Sequence, residues 1–398
     1  MGEKTTYPLT FASPLPSMSL RIALLTYATK PRGSVIHTLE LAEALTELGH
    51  QASVFALDKD GQGFHRPTSF KAWPVSATPC NAGIDQLIQQ RIGEFVNFFQ
   101  HHPHRYDIYH AQDCLSANAL AILKQQGQIP HFVRTVHHIE DFQSPYLQTC
   151  QEKSIHQPKR CLCVSDVWQR VLAQAYGIQA HRVINGVSHR FSAQPDGSEA
   201  ALANVYGIGR GPVFLTVGGI EPRKNSINLL KAFYQVRQVE PEAQLVIAGG
   251  ATLFDYQDYR HEFMELVEAY SLADGLVLPG VVPDADLPAL YRLADVFVFP
   301  SVQEGWGLVV LEAIASGLPV LTSNQAPFTE FLSEQDAMLV EPGNVDAIAS
   351  AMLTLLNTDI AQTLIDHSRP IVERYSWQQS AKMHLELYGE LAAESTQD

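Results

Sequence analysis

"DVFVFPSVQEGWGLVVLEAIASGLPVLTS", residues 295–323, alternates between two kinds of structure. The runs 295–301 and 318–323 are short, apolar and rich in β-branched and aromatic residues, which predicts two strands. Between them a glycine-flanked turn opens an apolar helical run that ends near Gly317. Strand, turn, helix and strand in this order predict two parallel strands joined by a helix.

The same alternation runs along the whole chain. Strands are predicted at 20–28, 51–57, 106–112, 131–138, 160–166 and 182–187, and again at 211–219, 243–250, 275–282, 295–301, 318–323 and 337–343. Helices between them are predicted at 34–48, 225–239, 285–294 and 344–356. Continuously apolar strands are typical of parallel sheets covered on both faces. Two similar sets of strands predict an α/β protein with two doubly wound domains, and they disfavour an eight-unit barrel around a single core.

The polar stretch 188–200 is the predicted linker between the domains. The expected divisions are a tail at 1–18, an N-terminal domain at 19–190, a C-terminal domain at 191–376, and an amphipathic helix at 377–398 that returns to the first domain. The tail has no apolar core of signal-peptide type, and Met18 as the natural start is an open alternative.

The formal charge of −15 is unevenly distributed. Residues 1–190 hold 17 Lys and Arg against 14 Asp and Glu, whereas residues 191–398 hold 10 against 28. So acidic a chain disfavours nucleic acid as a partner. Five cysteines without framework spacing disfavour a secreted disulfide fold, and we expect a cytoplasmic location. No apolar run reaches the roughly 18 residues of a membrane span, although peripheral membrane contact stays open.

"VGGIEPRKN", residues 217–225, follows a predicted strand and precedes a helix. Cations are unfavourable at a helix N-terminus, so the adjacent Arg223 and Lys224 indicate a bound anion such as a diphosphate. Asn225 is the predicted N-cap of the helix. Solvated cations at a helix start are the alternative.

Two glutamates, Glu304 and Glu312, flank the turn in the opening stretch. Eight residues along a helix span about 12 Å, which is too far for an acid–base pair on one bond. The two carboxylates are better placed to bind two ends of an extended ligand with sugar hydroxyls. The alternative for Glu312 is a surface position, which its apolar neighbours disfavour.

Polar residues also follow strands in the first half. Gly33 and Ser34 open a helix whose N-terminus accepts anions, but the full dinucleotide fingerprint is absent. His137 and His138 follow one strand, and His110 and Asp113 follow another; these four are candidate acid–base or acceptor-binding groups, with hydrogen-bonded structural histidines as the alternative.

With these motifs in this order, the chain from Leu20 onward resembles the family 4 retaining glycosyltransferases of the GT-B fold. The residues that carry the resemblance are the glutamate spacing in 304–320, "GGIEPRKN", "VINGV" (183–187) and "PDADLPALYRLADVFVFPS" (283–301). The stretches "KPRGSVIHTLELAEAL", "VRTVHHIEDF" and "AGGATLFDYQDYR" are similar to a narrower bacterial subgroup of unassigned substrate.

The resemblance implies a nucleotide-diphosphate sugar in the cleft between the domains and transfer of a hexose with retention. Arg223 and Lys224 would neutralise the leaving diphosphate, Glu304 would hold the sugar, and His137 would lie near the reacting centre. The remaining donor-binding positions implied by the family are Gly33 at the phosphates, the turn Gly305, Trp306, Gly307 and Leu308 at the sugar, Glu312 at the ribose, and Gly280 and Val282 at the base. No cofactor and no metal are expected.

Two positions depart from the family pattern. Ser34 stands where many relatives have a second glycine, so we expect a narrower approach to the phosphates. Trp306 stands where phenylalanine is common, so we expect a changed sugar pocket. The acceptor is unknown, and the slightly basic first half suggests an anionic one. A nucleotide-sugar epimerase on the same fold and a non-catalytic nucleotide-sugar-binding module are the alternative functions.

Overall fold

The computed structural model describes residues 19–64, 66–102, 104–209, 211–250 and 256–395. The expected tail at 1–18, the start at Met18 and residues 251–255 of the stretch "AGGATLFDYQDYR" lie outside the described residues.

Seven parallel strands form the first sheet, in the order β3-β2-β1-β4-β5-β6-β7. They are β1 Arg21–Thr26, β2 Gln51–Asp58, β3 Lys71–Ser76, β4 Ile108–Ala111, β5 Val133–Val136, β6 Arg160–Cys163 and β7 His181–Arg182. The second sheet has six parallel strands in the order β10-β9-β8-β11-β12-β13. They are β8 Val213–Val217, β9 Gln244–Ala248, β10 Leu276–Gly280, β11 Val296–Phe299, β12 Val320–Ser323 and β13 Met338–Val340.

Helices connect the strands and cover the sheets. They are α1 Gly33–Glu47, α2 Ile84–His101, α3 Cys114–Gln125, α4 Pro145–His156, α5 Asp166–Tyr176, α6 Glu199–Tyr206, α7 Ser226–Val239, α8 Gln257–Ala269, α9 Leu287–Arg292, α10 Leu308–Ala315, α11 Val345–Thr354, α12 Thr358–Arg374 and α13 Trp377–Ser395. Central strands such as β4, β9 and β11 are buried along their whole length, as expected when helices cover both faces. The predicted α/β class with two doubly wound sheets is confirmed.

One strand was missing from the prediction. β3, "KAWPVS", contains Pro74 and is half-exposed, so it lacks the apolar run of the other strands. It lies at the edge of the first sheet, where a proline can be accommodated because one side of the strand has no partner.

Helix α13 packs against the first sheet's side of the molecule. The Ser380 hydroxyl donates to the Ile184 carbonyl at 2.6 Å, and the Tyr388 hydroxyl lies 2.6 Å from Nδ1 of His110. A Cβ on Gly186 would overlap the backbone of Trp377, so the chain from α12 to α13 passes directly over the end of the first sheet.

Among the described helices, none is by itself long and apolar enough to cross a membrane. Only α11 and α12 taken together meet the length and composition of a span, and they are bent by 95°.

Candidate active site

Three donors converge on one carboxylate oxygen at the carboxyl edge of the second sheet. Oε1 of Glu304 lies 2.7 Å from Lys224 Nζ, 2.9 Å from Arg223 Nη1 and 2.8 Å from Ser301 Oγ. Glu304 and Ser301 follow β11, and both cations follow β8, its neighbour in the sheet. The described side-chain hydrogen bonds of this carboxylate all use Oε1.

The electrostatics of this cluster follow from its burial. Burial alone would raise the pKa of Glu304, but the charges of Lys224 and Arg223 and the hydrogen bonds to it lower that pKa below its ordinary value. Burial lowers the pKa of Lys224 although Glu304 opposes the shift. The Lys224 ammonium also lies 4.4 Å from the ring centroid of Phe299, a cation–π contact. Glu221, 3.5 Å from Arg223, supplies the second negative charge, so the two cations and two carboxylates form a largely buried cluster from which the Arg223 side chain is partly exposed.

The short 3-10 turn Pro222–Lys224 presents the two cations before α7 begins. Asn225 is the N-cap of α7, as predicted, although its side chain accepts from no backbone amide of the helix; its Oδ1 accepts instead from Nδ2 of Asn228 at 2.9 Å. Asn225 has a φ of 60°, and its side-chain nitrogen, Nδ2, donates to the carbonyls of Pro300 and Pro342 at 3.0 and 2.6 Å. Asn225 therefore ties the cation loop to the ends of the neighbouring strands.

The turn after Glu304 packs against the first domain. A Cβ on Gly305 would overlap the carbonyl oxygen of His137, so only glycine permits this approach. Gly307 has a φ of 104°, and a side chain there would overlap the Phe328 ring. Leu308 is the first residue of α10, whose N-terminus begins beside the cluster.

Trp306 does not line a pocket, contrary to the expected effect on the sugar site. Its side chain is 2% exposed and stacks on Phe331 at 4.7 Å, with Tyr375 at 5.3 Å. The larger ring at this position is accommodated by aromatic packing beneath the turn. Only the Trp306 backbone remains a candidate for ligand contact.

Glu312, in the middle of α10, is buried and hydrogen-bonded, so the surface alternative is excluded. The Tyr291 hydroxyl donates to its Oε2 at 2.7 Å. Burial raises the pKa of Glu312 to about 7, although this hydrogen bond and the charge of Arg190 oppose the shift. Its carboxyl group therefore changes charge near neutral pH.

Beside Glu312, two arginines connect the two sheets' domains. Arg66 Nη1 lies 2.7 Å from Glu40 of α1 and 3.4 Å from Asp284 of the second domain. Arg190 pairs with Asp284 and lies 4.0 Å from Glu40. This network closes one end of the cleft.

His137 follows β5 and is half-buried beside the turn. Its Nε2 lies 3.0 Å from Oε1 of Gln112, and its ring meets His37 edge-on at a centroid distance of 4.6 Å. Burial, followed by the charge of His37, lowers the pKa of His137 well below its ordinary value. The structure thus brings a neutral imidazole to the Glu304 turn.

The acceptor-side predictions fare differently. His110 is fully buried, with Nδ1 at Tyr388 and Nε2 2.8 Å from Thr135, so it is a structural histidine and that expectation is corrected. Asp113 accepts from the Ser116 amide at 2.8 Å as the N-cap of α3, a structural role. His138 is exposed and lies 2.6 Å from Glu140.

The other predicted positions lie around the cleft. Gly33 begins α1 with open space where a Cβ would stand, and the Ser34 carbonyl accepts from the Thr38 hydroxyl at 2.6 Å. Gly280 ends β10 with a φ of 72°, and the Val282 side chain is buried. These positions flank the cleft without meeting the Glu304 cluster in a described contact.

Several site residues were not predicted. Ser301 and Gln112 each follow a strand, so strand-end position was a usable signal for both. No local sequence pattern predicted Tyr291 or Trp168, because their contacts join residues far apart in the sequence. The Tyr291 hydroxyl donates to Glu312, and Trp168 Nε1 donates to the Glu304 carbonyl at 3.3 Å. The ion pairs of Arg190 with Asp284 and Glu40 were not predicted, because Arg190 lies in the stretch 188–200 that was predicted to be a linker.

Comparison with known proteins adds family and fold. The family model described as "Glycosyl transferases group 1" matches residues 200–369, and that for "Glycosyltransferase Family 4" matches residues 31–190. The O-antigen chain mannosyltransferase B of Escherichia coli is 29% identical over 57% of this chain and 61% of that protein. The phosphatidyl-myo-inositol mannosyltransferase of Mycobacterium leprae is 28% identical over 91% of this chain and 94% of that protein.

Solved structures share the architecture. Sucrose-phosphate synthase from Thermosynechococcus elongatus superposes with a TM-score of 0.79 at 24% identity, covering 94% of this chain and all of that one. Anabaena HepE in complex with UDP and glucose gives 0.73 at 18% identity, covering 94% and 99%. At this identity the likeness establishes the fold. The two family matches, which together span most of the chain, show that this protein belongs to the family 4 glycosyltransferases of the GT-B fold.

Proposed function

We propose that this protein transfers a hexose from a nucleotide-diphosphate sugar to an acceptor, with retention of configuration. The observation that carries the proposal is the convergence of Arg223 and Lys224 on Glu304, at 2.9 and 2.7 Å, beside His137. Two adjacent cations that share one carboxylate can replace some of their contacts with it by contacts with a diphosphate. The HepE complexes contain UDP and UDP-glucose, which supports the donor class.

In this proposal the second domain binds the donor. Arg223 and Lys224 stabilise the negative charge that develops on the leaving diphosphate, which lowers the barrier to cleavage of the glycosidic bond. This positive charge comes from side chains, so we propose no metal and no cofactor. Glu304, held by both cations and Ser301, accepts a sugar hydroxyl through its second oxygen.

The rest of the donor extends along α10. The amides of Gly305, Trp306, Gly307 and Leu308 lie at the sugar and phosphate end, Glu312 accepts from the ribose hydroxyls, and Gly280 and Val282 lie at the base. Gly33 approaches the phosphates from the first domain. Retention rests on the family resemblance.

The acceptor enters from the first domain's side in this proposal, near His137, Ser34 and the exposed His138. The imidazole of His137 is neutral, so His137 would act at the reacting centre as a hydrogen-bonding group and not as a charge. We propose a cytoplasmic enzyme, a location that the five unpaired cysteines support.

The test is product analysis with UDP-, GDP- and ADP-sugars and a mixed acceptor panel, by mass spectrometry. We expect release of one nucleoside diphosphate together with a hexosylated acceptor. Lys224→Met should abolish both products, whereas Lys231→Met, in the second turn of α7, should abolish neither. A converted donor sugar without nucleotide release would identify an epimerase and refute the proposal, and binding without turnover would identify a non-catalytic module.

A further inference from the structure

Four cations lie along the carboxyl edge of the three strands at one end of the first sheet. Lys30 and Arg32 follow β1, and Lys59 follows β2. Arg91 reaches the end of β3 from α2, where its Nη1 donates to the Thr78 carbonyl at 2.8 Å. Because these strands are adjacent and parallel, the residues that follow them lie at the same edge.

The carboxylates in this region already have partners. Asp58 accepts from the amides of Gly61 and Gly63, Asp60 lies 2.9 Å from Lys30, and Glu94 lies 2.7 Å from Arg91. Lys59 is different: within the described part of the chain, it has no carboxylate at ion-pair distance. The charge of its ammonium therefore has no described carboxylate to balance it.

The surroundings of Lys59 are electrostatically unfavourable for an ammonium. Its side chain is at the surface, yet partial burial of the ammonium, followed by the charges of Arg91, Arg32 and Lys30, lowers its pKa. Like charges gathered at one point cost free energy, which a bound anion would recover. The group is therefore poised for a negatively charged ligand.

This edge faces the cleft. The loop that begins at Lys59 carries Arg66, which contacts Asp284 of the second domain at 3.4 Å. The loop between β2 and β3 therefore meets the second domain, and the four cations lie on the first domain's side of that contact.

We propose that Lys59, together with Lys30, Arg32 and Arg91, binds a phosphate group carried by the acceptor. The inference rests on the proposed function, because that function makes this side of the cleft the acceptor side. Lysines bind phosphate as point charges, and an arginine can donate two parallel hydrogen bonds to its oxygens. A phosphate monoester carries close to two negative charges at neutral pH, more than a carboxylate, and so it can compete with Asp60 and Glu94 for Lys30 and Arg91.

Calorimetric titration with glycerol 3-phosphate tests the proposal, with glycerol and glycerate as the neutral and carboxylate probes. The variant is Lys59→Gln. The matched control is Lys71→Gln. Lys71 is an exposed lysine at the start of β3, so it lies at the amino ends of the strands, whereas Lys59 lies at their carboxyl ends. UDP is titrated into the same preparations.

We expect glycerol 3-phosphate to bind wild type more tightly than glycerate, and glycerol not to bind. Lys59→Gln should weaken glycerol 3-phosphate binding at least tenfold, about 1.4 kcal/mol, whereas Lys71→Gln should leave it unchanged. Absence of binding to wild type, equal affinity in both variants, or tighter binding of glycerate would overturn the phosphate assignment.

The UDP titration separates this inference from the proposed function. UDP affinity unchanged by Lys59→Gln, with phosphate affinity lost, supports both. If UDP binds and the Lys59 dependence is missing, the inference fails and the donor site stands. If UDP does not bind wild type while glycerol 3-phosphate does, the proposed function fails and the phosphate site remains.

Discussion

Replacing Glu304 by glutamine removes the negative charge with which both Arg223 and Lys224 form ion pairs. Unit charges about 2.8 Å apart attract each other by about 6 kcal/mol at an effective dielectric constant of about 20, before desolvation is counted. Removing one partner of a buried pair typically costs about 3–5 kcal/mol. The Arg223 side chain is 39% exposed and regains water, so we expect a loss of about 2–4 kcal/mol in the free energy of unfolding.

A double-mutant cycle with Lys224→Met measures the coupling in guanidinium denaturation. Glu221 lies 3.5 Å from Arg223, so the double variant leaves no unpaired charge in the cluster, whereas each single variant leaves one. The loss in the double variant should therefore fall short of the summed losses by at least about 1 kcal/mol. The loss in Glu304→Gln should also shrink as pH rises. Without Glu304 the pKa of Lys224 falls further, so the unfolded chain binds this proton more tightly and raising the pH favours the folded state. Single losses that add within about 0.3 kcal/mol, or a loss independent of pH, would refute this account.

Three further outcomes follow from the site. Burial raises the pKa of Glu312 from 4.5 to about 7, so its contribution to stability is complete below pH 4.5 and is lost as pH rises through 7. Glu312→Gln should therefore be more stable than wild type at pH 8, by up to about 3 kcal/mol, and equally stable near pH 4.5. The variant should also bind nucleotide more weakly. Equal stability differences at both pH values in calorimetry would contradict this. Gly305→Ala should lower Tm by several degrees because its methyl group overlaps the His137 carbonyl, whereas Gly33→Ala, with open space, should not; indistinguishable melting curves would count against the close approach. The imidazole of His137 should stay neutral from pH 8 to 6, and a nitrogen chemical shift that titrates near 6.5 would show that its burial is overstated.

The sequence predicted the architecture well because the strands are continuously apolar and the helices are amphipathic. The exception, β3, shows the limit of that signal. Its pairing with β2 is made by backbone hydrogen bonds at a sheet edge, and these place little demand on side chains. An edge strand with an internal proline therefore looks like a loop.

Strand-end position predicted where the site lies but not how its members bond. Arg223, Lys224 and Glu304 were each expected to face a ligand, yet they bond one another, because opposite charges that follow neighbouring strands attract. His110 follows a strand just as His137 does, but α13 covers it. Contacts between segments so distant along the chain, like that of Arg66 with Asp284, leave no local pattern to read.

The central claim is that Arg223 and Lys224 bind the diphosphate of a nucleotide sugar. Thermal melting of wild type and Lys224→Ala with UDP-, GDP- and ADP-sugars tests it most directly. A ligand at 100 times its dissociation constant stabilises a protein by about 2.7 kcal/mol. We predict that one nucleotide class raises the Tm of wild type and leaves that of Lys224→Ala unchanged. Equal shifts in both proteins, or no shift of wild type with any nucleotide sugar, would contradict the claim.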